Sequence, residues 1–301
     1  MKLVHYEKAG ATRVGLVDKT RIVDLVEFAK ELGMPVFLGI TRIDDILSQG
    51  LLELLQEAAP RIAAIRGGVP FDSATLRSPI LNPEKILLVA RNYLSHNKEQ
   101  DARPPVEPYF FTKFRNALIG PDEPILIPRI STKADWEVEL AVIIGRAGKN
   151  VERKNAMDHV AGYAVANDVS FRDLQFSTRL DKAPVTLGNN WVKGKGLDSS
   201  LPLGPWLVTK DEIPDPNDLE ISLRVNGEIK QHSKTSDMIF RIDSLIEYVS
   251  AGMTLKPGDI ISTGTPEGVA VFTGEPFLKD GDVVEATISG IGTLRNPVRA
   301  E

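Results

Sequence analysis

The sequence predicts a mixed α/β fold that is rich in strands, with a small α/β domain over residues 1–76 and a larger domain over 80–301. Many short runs of β-branched and aliphatic residues are bounded by turn-forming residues, a pattern typical of strands. The 24 glycines and 20 prolines supply these turns. Two segments with helical spacing of apolar residues lie close together in the first 76 residues, which indicates that helices accompany the strands there.

The N-terminal domain begins with a predicted hairpin over residues 1–20, where apolar residues alternate around turn signals. Apolar residues at helical spacing then predict a helix over 21–33 that ends at a glycine. A second amphipathic helix is predicted over about 43–59, where Pro60 ends it. Turn-forming residues around Ser78 mark the predicted domain boundary.

The larger domain alternates short buried strands with a few helices. The clearest hairpin signal is the pair Asn226-Gly227 after an alternating segment. The polar segment 97–107 contains a double proline and is predicted to be a surface loop. The predicted strands cover residues 86–90, 109–113, 125–127, 137–144, 162–166, 219–225, 258–263 and 283–288, and the predicted helices cover about 151–160 and 238–249.

Composition excludes several classes of partner and site. The formal charge of −5 gives no general electrostatic reason to bind nucleic acid or an anionic membrane. The absence of cysteine excludes disulfides, thiolate nucleophiles and cysteine-ligated zinc or iron–sulfur sites. No apolar run approaches the roughly 18 residues of a membrane span, and the first residues lack the apolar core of a secretory signal. We therefore expect a cytoplasmic protein with neither a nucleic-acid nor a membrane partner.

Two carboxylates on one strand are the first candidate for a functional site. Side chains alternate along a strand, so Glu137 and Glu139 point to the same face, with Cα atoms about 7 Å apart. On a buried face they would repel each other and lose hydration, which a shared proton, a cationic partner or a metal ion could relieve. We favour a hard divalent cation, which takes oxygen ligands. The alternative is that this face of the strand is exposed to water.

A third carboxylate follows another apolar strand. Asp168 would lie at the rim of that strand and could complete a three-oxygen site for Mg²⁺ or Mn²⁺. On local sequence alone, a helix N-cap or a turn residue is the more common role for such an aspartate. Arg172 could clamp a substrate carboxylate, or it could pair with Asp173 or another neighbour.

The candidates for catalysis and anion binding lie in two further segments. His96 and Glu99 are three residues apart, and such a pair can activate a water molecule, although an ordinary surface pair has the same spacing. Glycines flank Lys195 and would let the backbone approach a ligand, but local sequence does not choose between Lys195 and Lys193. The small-residue turn over 263–270 could hold an anion with backbone N–H groups, or it could be an ordinary tight turn.

An ordered series of motifs resembles the fumarylacetoacetate hydrolase family. The resemblance extends from about Ile86 to Pro297, and the order of the motifs is far more specific than any one of them. The first 76 residues correspond only to the variable N-terminal portion of family members. In chain order the motifs are N-Y-x-x-H-x-x-E, D-W-E-V-E-L-A-V-I-I-G, N-D-V-S-x-R-D-L-Q, G-K-G-L-D, P-L-G-P-W, V-N-G-E, S-D-M-I-F and L-K-P-G-D-I-I-S-T-G-T-P-E-G-V.

The resemblance implies a mixed β-sandwich roll in the C-terminal domain and a homodimer or higher homo-oligomer. It also implies a bound Mg²⁺ or Mn²⁺, for which Ca²⁺ would substitute in crystals, and a loop after His96 that closes over the ligand. The implied metal ligands are Glu137, Glu139 and Asp168, the implied catalytic residues are His96, Glu99 and Lys195, and the implied substrate-binding residues are Arg172, Gln175 and Thr265.

These residues suggest chemistry on a small 2-oxo or diketo acid. A 2-oxo acid can chelate one metal ion, and cleavage of the carbon–carbon bond beside the ketone leaves an enolate that the metal stabilises. We therefore expect a metal-dependent hydrolase acting on an acylpyruvate or a related 1,3-diketo acid. The alternatives on the same scaffold are an isomerase of 2-hydroxymuconate-type acids, an oxaloacetate decarboxylase and a sugar-acid dehydratase. A non-catalytic metal-binding homologue is a further alternative.

Two positions depart from the common family pattern. Ala270 stands where the late turn often has a glycine, and Gly196 stands where a serine often follows the lysine. Neither position is a metal ligand. Both adjoin candidate site residues, so the departures bear on the choice of substrate.

Overall fold

Strands dominate the computed structural model, which describes residues 1–176 and 189–301 and confirms the predicted mixed α/β, strand-rich fold. The strands are β1 (Lys2–Lys8), β2 (Ala11–Asp18), β3 (Arg21–Asp24), β4 (Val69–Pro70), β5 (Leu76–Arg77), β6 (Ile86–Ala90), β7 (Tyr109–Thr112), β8 (Leu118–Ile119), β9 (Ile125–Ile127), β10 (Ala134–Asp135), β11 (Val138–Ile144), β12 (Val160–Asn167), β13 (Ser170–Phe171), β14 (Leu201–Thr209), β15 (Glu220–Val225), β16 (Glu228–Lys234), β17 (Ile260–Ser262), β18 (Val283–Ile288) and β19 (Gly292–Ala300).

Short helices connect the strands. The α-helices are α1 (Leu25–Leu32), α2 (Ile43–Ser48), α3 (Leu52–Ala58), α4 (Leu94–Glu99), α5 (Arg172–Gln175), α6 (Trp191–Lys195), α7 (Ile242–Ser250) and α8 (Ala270–Thr273). Helices of the 3₁₀ type cover Pro35–Phe37, Ala59–Ala64, Phe71–Ser73, Arg115–Ala117, Arg153–His159, Lys210–Glu212 and Thr235–Asp237. Within the described ranges, no helix has the length and hydropathy that crossing a bilayer requires.

The largest sheet places β11 and β12 at its centre. Its strand order is β4-β3-β2-β1-β14-β12-β11-β17-β6-β7, with β5 added to β1 and β8 added to β14. A second sheet has the order β16-β15-β18-β19-β9, and β10 pairs with β13. Every residue of β11 and β12 is buried, which explains why both strands read as nearly continuous apolar runs.

The two faces of β11 contact different apolar clusters. Val138, Leu140 and Val142 pack in the cluster that includes the five-stranded sheet. Ala141 and Ile143 pack instead in the cluster that contains the N-terminal helices. Strand alternation puts Glu139 in the second series. Since protein covers both faces, the alternative of a water-exposed acidic face is wrong.

The N-terminal segment differs in detail from its prediction. The hairpin over residues 1–20 is confirmed by the antiparallel register of β1 and β2. The predicted helix over 21–33 is wrong for its first four residues, which form β3 against β2. Asp24 ends this strand and caps α1, because its carboxylate accepts the main-chain N–H groups of Val26 and Glu27. Helix α1 then ends as predicted at Gly33, whose φ is +66°.

Three other predicted elements change their extent. The predicted helix over 43–59 is divided into α2 and α3 by a turn at Gly50, whose φ is +68°. The predicted helix over about 151–160 is a 3₁₀ helix, and α7 begins at Ile242 instead of Met238. The first residues of the predicted loop 97–107 belong to α4. The hairpin at Asn226-Gly227 is confirmed, since β15 and β16 flank that turn.

The N-terminal strands extend the large sheet. Strand β1 pairs antiparallel with β14, with Lys2 opposite Val208 and Leu3 opposite Leu207. The apolar cluster that holds Phe28 also holds Ala141 of β11. The division into domains at residues 76–80 therefore stays a prediction about folding units, while the strands on both sides of that boundary share one sheet.

Candidate active site and metal centre

Three buried carboxylates meet where β11 begins and β12 ends. Glu137 directly precedes β11, Glu139 is its second residue, and Asp168 directly follows β12. The register places Val138 opposite Asn167, and the main-chain N–H of Asp168 donates to the carbonyl of Glu137 at 2.8 Å. One carboxylate oxygen from each of the three lies within 4.8 Å of the others. The structure thus brings together all three predicted metal ligands.

Two lysines contact this cluster. Lys195, the last residue of α6, places Nζ 2.7 Å from Oε2 of Glu137 and 2.6 Å from Oδ2 of Asp168. Lys193, the alternative from the sequence, is exposed. Lys113 is buried with Nζ 2.9 Å from Oδ1 of Asp168, and it also donates to the carbonyl of Ser200 at 2.6 Å. Lys113 had no predicted role, although its position directly after the apolar strand β7 was a signal that it could be buried.

Arg172 binds protein carboxylates from inside the site. Its Nε donates to Oδ2 of Asp135 at 2.8 Å, its Nη2 to Oε1 of Glu137 at 2.6 Å, and its Nη1 to Oε1 of Gln175 at 3.0 Å. The carboxylate of the neighbouring Asp173 points away and accepts a hydrogen bond from the hydroxyl of Ser131. The guanidinium therefore orients Glu137, and Asp135 is a site residue that sequence reasoning missed.

Glu139 has different surroundings from the other two carboxylates. Its Oε2 accepts hydrogen bonds from the hydroxyl of Ser262 and from the main-chain N–H of Gly264, the latter at 3.0 Å. Both hydrogen bonds that the Glu139 carboxylate accepts within the described residues are made to Oε2, which leaves Oε1 for another ligand. Burial, together with the charges of Asp168 and Glu137, raises the pKa of Glu139 well above its usual range.

The donor set suits a hard divalent cation. Three carboxylates supply oxygen ligands, and one of them is held in a position where its charge is poorly compensated by protein. A bound cation would offset the mutual repulsion that burial intensifies. Glu137, Glu139 and Asp168 thus fit Mg²⁺ or Mn²⁺ by the chemistry of their ligand atoms.

The cations shift the other pKa values in opposite directions. Burial alone would raise the pKa of Glu137, but Lys195 and Arg172 outweigh it and hold that pKa far below its usual range. Burial raises the pKa of Asp168 despite the opposing charges of Lys113 and Lys195. Burial also lowers the pKa of Lys113 to about 8, although Asp168 opposes this shift. The cluster is therefore strongly coupled, with Glu137 as its firmly ionised member.

His96 and Glu99 form the predicted pair on α4. Nδ1 of His96 lies 3.1 Å from Oε2 of Glu99, whose Oε1 accepts the main-chain N–H of Gly268 at 3.0 Å. Gly268 has a φ of +100°, and a Cβ atom there would lie 2.1 Å from the carbonyl oxygen of Lys230, so this position requires glycine. The edge of Phe272 packs against the imidazole ring. The late turn thus fixes the orientation of the pair.

The late turn binds protein groups through the atoms that were expected to hold an anion. The N–H groups of Gly264 and Gly268 donate to the carboxylates of Glu139 and Glu99. The hydroxyl of Thr265 donates to the carbonyl of Val138 at 2.9 Å. Gln231, which sequence reasoning also missed, donates to the Thr265 oxygen at 2.9 Å and accepts the N–H of Val138. The hydrogen bonds to Glu139 and Val138 thus anchor the start of β11, and the one from Gly268 holds Glu99.

Seven of the nine predicted site residues line one cavity of about 220 Å³ among the described residues. Phe111, Trp191 and Phe272 supply apolar walls, and Phe111 and Trp191 stack with ring centroids 4.5 Å apart. Glu99 and Asp168 lie behind the lining residues that they contact. The lining includes His96, Glu137, Glu139, Arg172, Gln175, Lys195 and Thr265.

The chain is similar to known enzymes over all or nearly all of its length. The chain is 42% identical to "Oxaloacetate tautomerase fahd2, mitochondrial" of Xenopus laevis, over 99% of this chain and 90% of that protein. The crystal structure of 2-hydroxyhepta-2,4-diene-1,7-dioate isomerase from Mycobacterium marinum is 32% identical, with a TM-score of 0.71 over 100% of this chain and 99% of that one. Maleylpyruvate hydrolase from Sphingobium sp. SYK-6, in complex with manganese(II) ion and pyruvate, is 29% identical, with a TM-score of 0.75 over 100% and 99%.

These relatives are enzymes that differ in reaction but share the fold. Residues 85–299 match the family described as "Fumarylacetoacetate (FAA) hydrolase C-terminal". This range contains both candidate catalytic residues of α4, the three carboxylates and Lys195. The chain therefore belongs to the fumarylacetoacetate hydrolase family.

Proposed function

We propose that this protein is a divalent-metal-dependent enzyme that interconverts the enol and keto forms of a 2-oxo dicarboxylic acid such as oxaloacetate. The observation that carries the proposal is that His96 and the carboxylate cluster meet at the same cavity. The name of the Xenopus relative, which is similar over nearly the whole chain, supports tautomerisation over the hydrolysis expected from sequence. The cavity is smaller than the roughly 300–1,000 Å³ typical of drug-sized ligands, which favours a small acid.

Glu137, Glu139 and Asp168 would hold Mg²⁺ or Mn²⁺. When bound, such an ion supplies positive charge that polarises a keto oxygen and favours enolate formation. The protein contributes ligands that are already ordered, because Arg172 and Lys195 fix Glu137 while the Ser262 hydroxyl and a backbone N–H fix Glu139. Prearranged ligands avoid the cost of ordering flexible carboxylates at the moment of binding.

His96 is the proposed base. The Glu99 carboxylate accepts a hydrogen bond from the Nδ1–H of the neutral imidazole, which leaves Nε2 as the ring nitrogen with a lone pair for the substrate. Nε2 accepts a proton from C3 of the keto acid, and the electron pair of that C–H bond becomes the C2–C3 double bond. The carbonyl π pair moves to the oxygen, where an N–H of the Lys195 ammonium stabilises the negative charge while Nε2 of His96 returns the proton to that oxygen. This gives the enol and restores the neutral imidazole, and the reverse transfers, from the enol oxygen to Nε2 and from Nε2 to C3, give the keto form.

Lys195 has the donor capacity that this step requires. An ammonium group carries three N–H bonds, and the carboxylates of Glu137 and Asp168 occupy two of them. The same two carboxylates raise the pKa of Lys195 although burial opposes them. Its charge is further placed against the ring of Phe111, 5.2 Å from the centroid. Lys195 therefore remains a cation beside the oxygen where negative charge develops.

The test follows the disappearance of enol oxaloacetate by its ultraviolet absorbance in Mg²⁺ buffer. We expect His96→Gln to lower kcat by about 10²- to 10⁴-fold, the usual contribution of a general base. The matched control is His232→Gln, because His232 is exposed on β16 and outside the cavity. A His96→Gln protein that retains the full wild-type rate would contradict the proposal.

Hydrolysis of an acylpyruvate is the second candidate, and the His96–Glu99 pair is the observation that favours it. With an acylpyruvate bound, Nε2 of His96 would take its proton from water, and the resulting hydroxide would attack the distal carbonyl. Mass spectrometry of products separates the reactions: hydrolysis adds the mass of water, decarboxylation removes CO₂, and tautomerisation leaves the mass unchanged. A protein that neither turns over these acids nor responds to Mg²⁺ or Mn²⁺ would be the non-catalytic homologue.

Assembly and location remain predictions from the sequence. We retain a homodimer or higher homo-oligomer as the expected assembly, which light scattering would measure. We also retain a cytoplasmic location as a prediction, while the name of the Xenopus relative places that protein in mitochondria.

A further inference from the structure

Three cationic side chains line the cavity, and they differ in how fully they are paired. Arg172 binds three protein groups, and Lys195 binds two carboxylates. Arg91 also lines the cavity, but its guanidinium has no hydrogen bond or ion pair within residues 1–176 and 189–301. Its side chain is exposed, so the charge is available to a ligand that enters the cavity.

The turn that carries Arg91 is held in place from two directions. Asn97 donates through Nδ2 to the carbonyls of Arg91 and Tyr93 at 2.8 and 2.7 Å. Asn92 donates to the carbonyl of Thr263 at 2.8 Å and accepts the N–H of Phe240, also at 2.8 Å. The turn therefore presents Arg91 from a rigid base.

The backbone at Arg91 has a conformation that side chains rarely adopt. Its φ is +60°, in the left-handed region that costs a non-glycine residue about 1 kcal/mol or more. A glycine would satisfy the backbone at lower cost. Arg91 directly follows β6 and lines the cavity, so an arginine at this position gives the site a further positive charge.

We propose that Arg91 binds the distal carboxylate of the substrate and so makes the enzyme selective for 2-oxo acids that carry a second carboxylate. This inference rests on the proposed function, in which the 2-oxo acid group occupies the metal centre. A dicarboxylate brings a second negative charge into a cavity where Arg172 and Lys195 are already paired with protein carboxylates. The Arg91 guanidinium, which no described residue pairs, offsets that charge and can bind both carboxylate oxygens at once.

The experiment compares oxaloacetate with its 4-methyl ester, which keeps the 2-oxo acid group and lacks the distal charge. Wild type, Arg91→Met and Arg91→Lys are assayed for kcat/KM and for equilibrium binding by calorimetry, both in Mg²⁺ buffer. The control is Arg13→Met, which removes a charge from an exposed residue of β2 that does not line the cavity. Circular dichroism melting verifies that each variant is folded.

For Arg91→Met we expect oxaloacetate binding and kcat/KM to fall by about 10- to 100-fold, the effect of losing a hydrogen bond to a charged group. The values for the methyl ester should stay within about 2-fold of wild type, and Arg91→Lys should recover part of the loss because it keeps the charge. Arg13→Met should behave as wild type with both compounds.

The outcomes separate this inference from the proposed function. Equal losses for oxaloacetate and the ester, or no loss for either, would overturn the role of Arg91 even if the enzyme is a tautomerase. Selective loss of oxaloacetate binding in a protein that does not tautomerise it would support Arg91 and refute the proposed reaction. Absence of oxaloacetate binding to the wild type would overturn both.

Discussion

The partner of Arg172 provides the sharpest test of how the site is assembled. Asp135 is fully buried, and its Oδ2 accepts from Nε of Arg172 at 2.8 Å and from the N–H of Val271 at 3.1 Å. Its Oδ1 accepts the N–H groups of Trp136 and Ala270. An asparagine can reproduce the Oδ1 hydrogen bonds but places an NH₂ group against the two donors at Oδ2. Asp135→Asn therefore removes a buried ion pair and places an amide NH₂ donor against the N–H donors of Arg172 and Val271.

The expected loss of stability can be estimated from these contacts. Breaking a buried ion pair by removing one partner costs about 3–5 kcal/mol. An unfolding entropy of about 2.1 cal/mol/K per residue gives about 0.63 kcal/mol/K for a chain of 301 residues. The melting temperature of Asp135→Asn should thus fall by about 5–8 °C, measured by calorimetry. We also expect kcat to fall, because Arg172 orients Glu137 and the turn held by Asp135 carries Phe272 against His96.

Asp173→Asn is the matched control for this prediction. Asp173 is adjacent to Arg172 in sequence, but its carboxylate accepts from Ser131 and Thr132 near the surface. Its loss should cost about 1 kcal/mol, the net contribution of an ordinary hydrogen bond. If Asp173→Asn lowered the melting temperature as much as Asp135→Asn, the assignment of Asp135 as the structural partner of Arg172 would be refuted.

Two further predictions concern buried titratable groups. Burial lowers the pKa of His5 below its usual 6.5, so the neutral ring stabilises the fold above that pH and this stability is lost as the pH falls below it. Urea unfolding midpoints measured from pH 8 to 5 should show this decline, and His5→Gln should make the decline shallower. If the variant declines as steeply as wild type, His5 is not its source. For Glu139→Gln we expect a melting temperature without metal equal to or above that of wild type, because a poorly compensated buried carboxyl is removed. Its Mg²⁺ affinity should fall at least about 10-fold, since a metal ligand is lost; calorimetric titration that gives the wild-type affinity would exclude Glu139 from the metal centre.

Local sequence was sufficient where chain neighbours determine the structure. The hairpin at Asn226-Gly227 follows from two residues that adopt positive φ, and their φ values are +52° and +81°. The end of α1 follows from Gly33 in the left-handed conformation. The placement of Glu137 beside Glu139 follows from strand alternation. In each case the deciding interaction lies within a few residues.

Sequence reasoning failed where distant segments decide. Residues 21–24 have helical spacing, but pairing with β2 makes them a strand, since a sheet edge offers them backbone hydrogen bonds. Lys113 is buried because Asp168 and Ser200, 55 and 87 positions away, supply acceptors for its ammonium group. The sequence left open whether Arg172 binds substrate or pairs with Asp173 or another neighbour, because its partner Asp135 lies 37 positions earlier in the chain and cannot be identified from local spacing.

Strand alternation places Glu137 and Glu139 on the same face, but their carboxylates have different electrostatic surroundings in the folded protein. Lys195 and Arg172 both contact Glu137, whereas Glu139 has no ion pair in the described part of the chain and is held by a hydroxyl and a backbone N–H. This difference arises because α5 and α6 bring Arg172 and Lys195 to Glu137, while β17 brings the hydroxyl of Ser262 to Glu139. Spacing therefore predicts a set of metal ligands, but the neighbouring elements determine which carboxylate stays ionised and which one has its charge least compensated by protein.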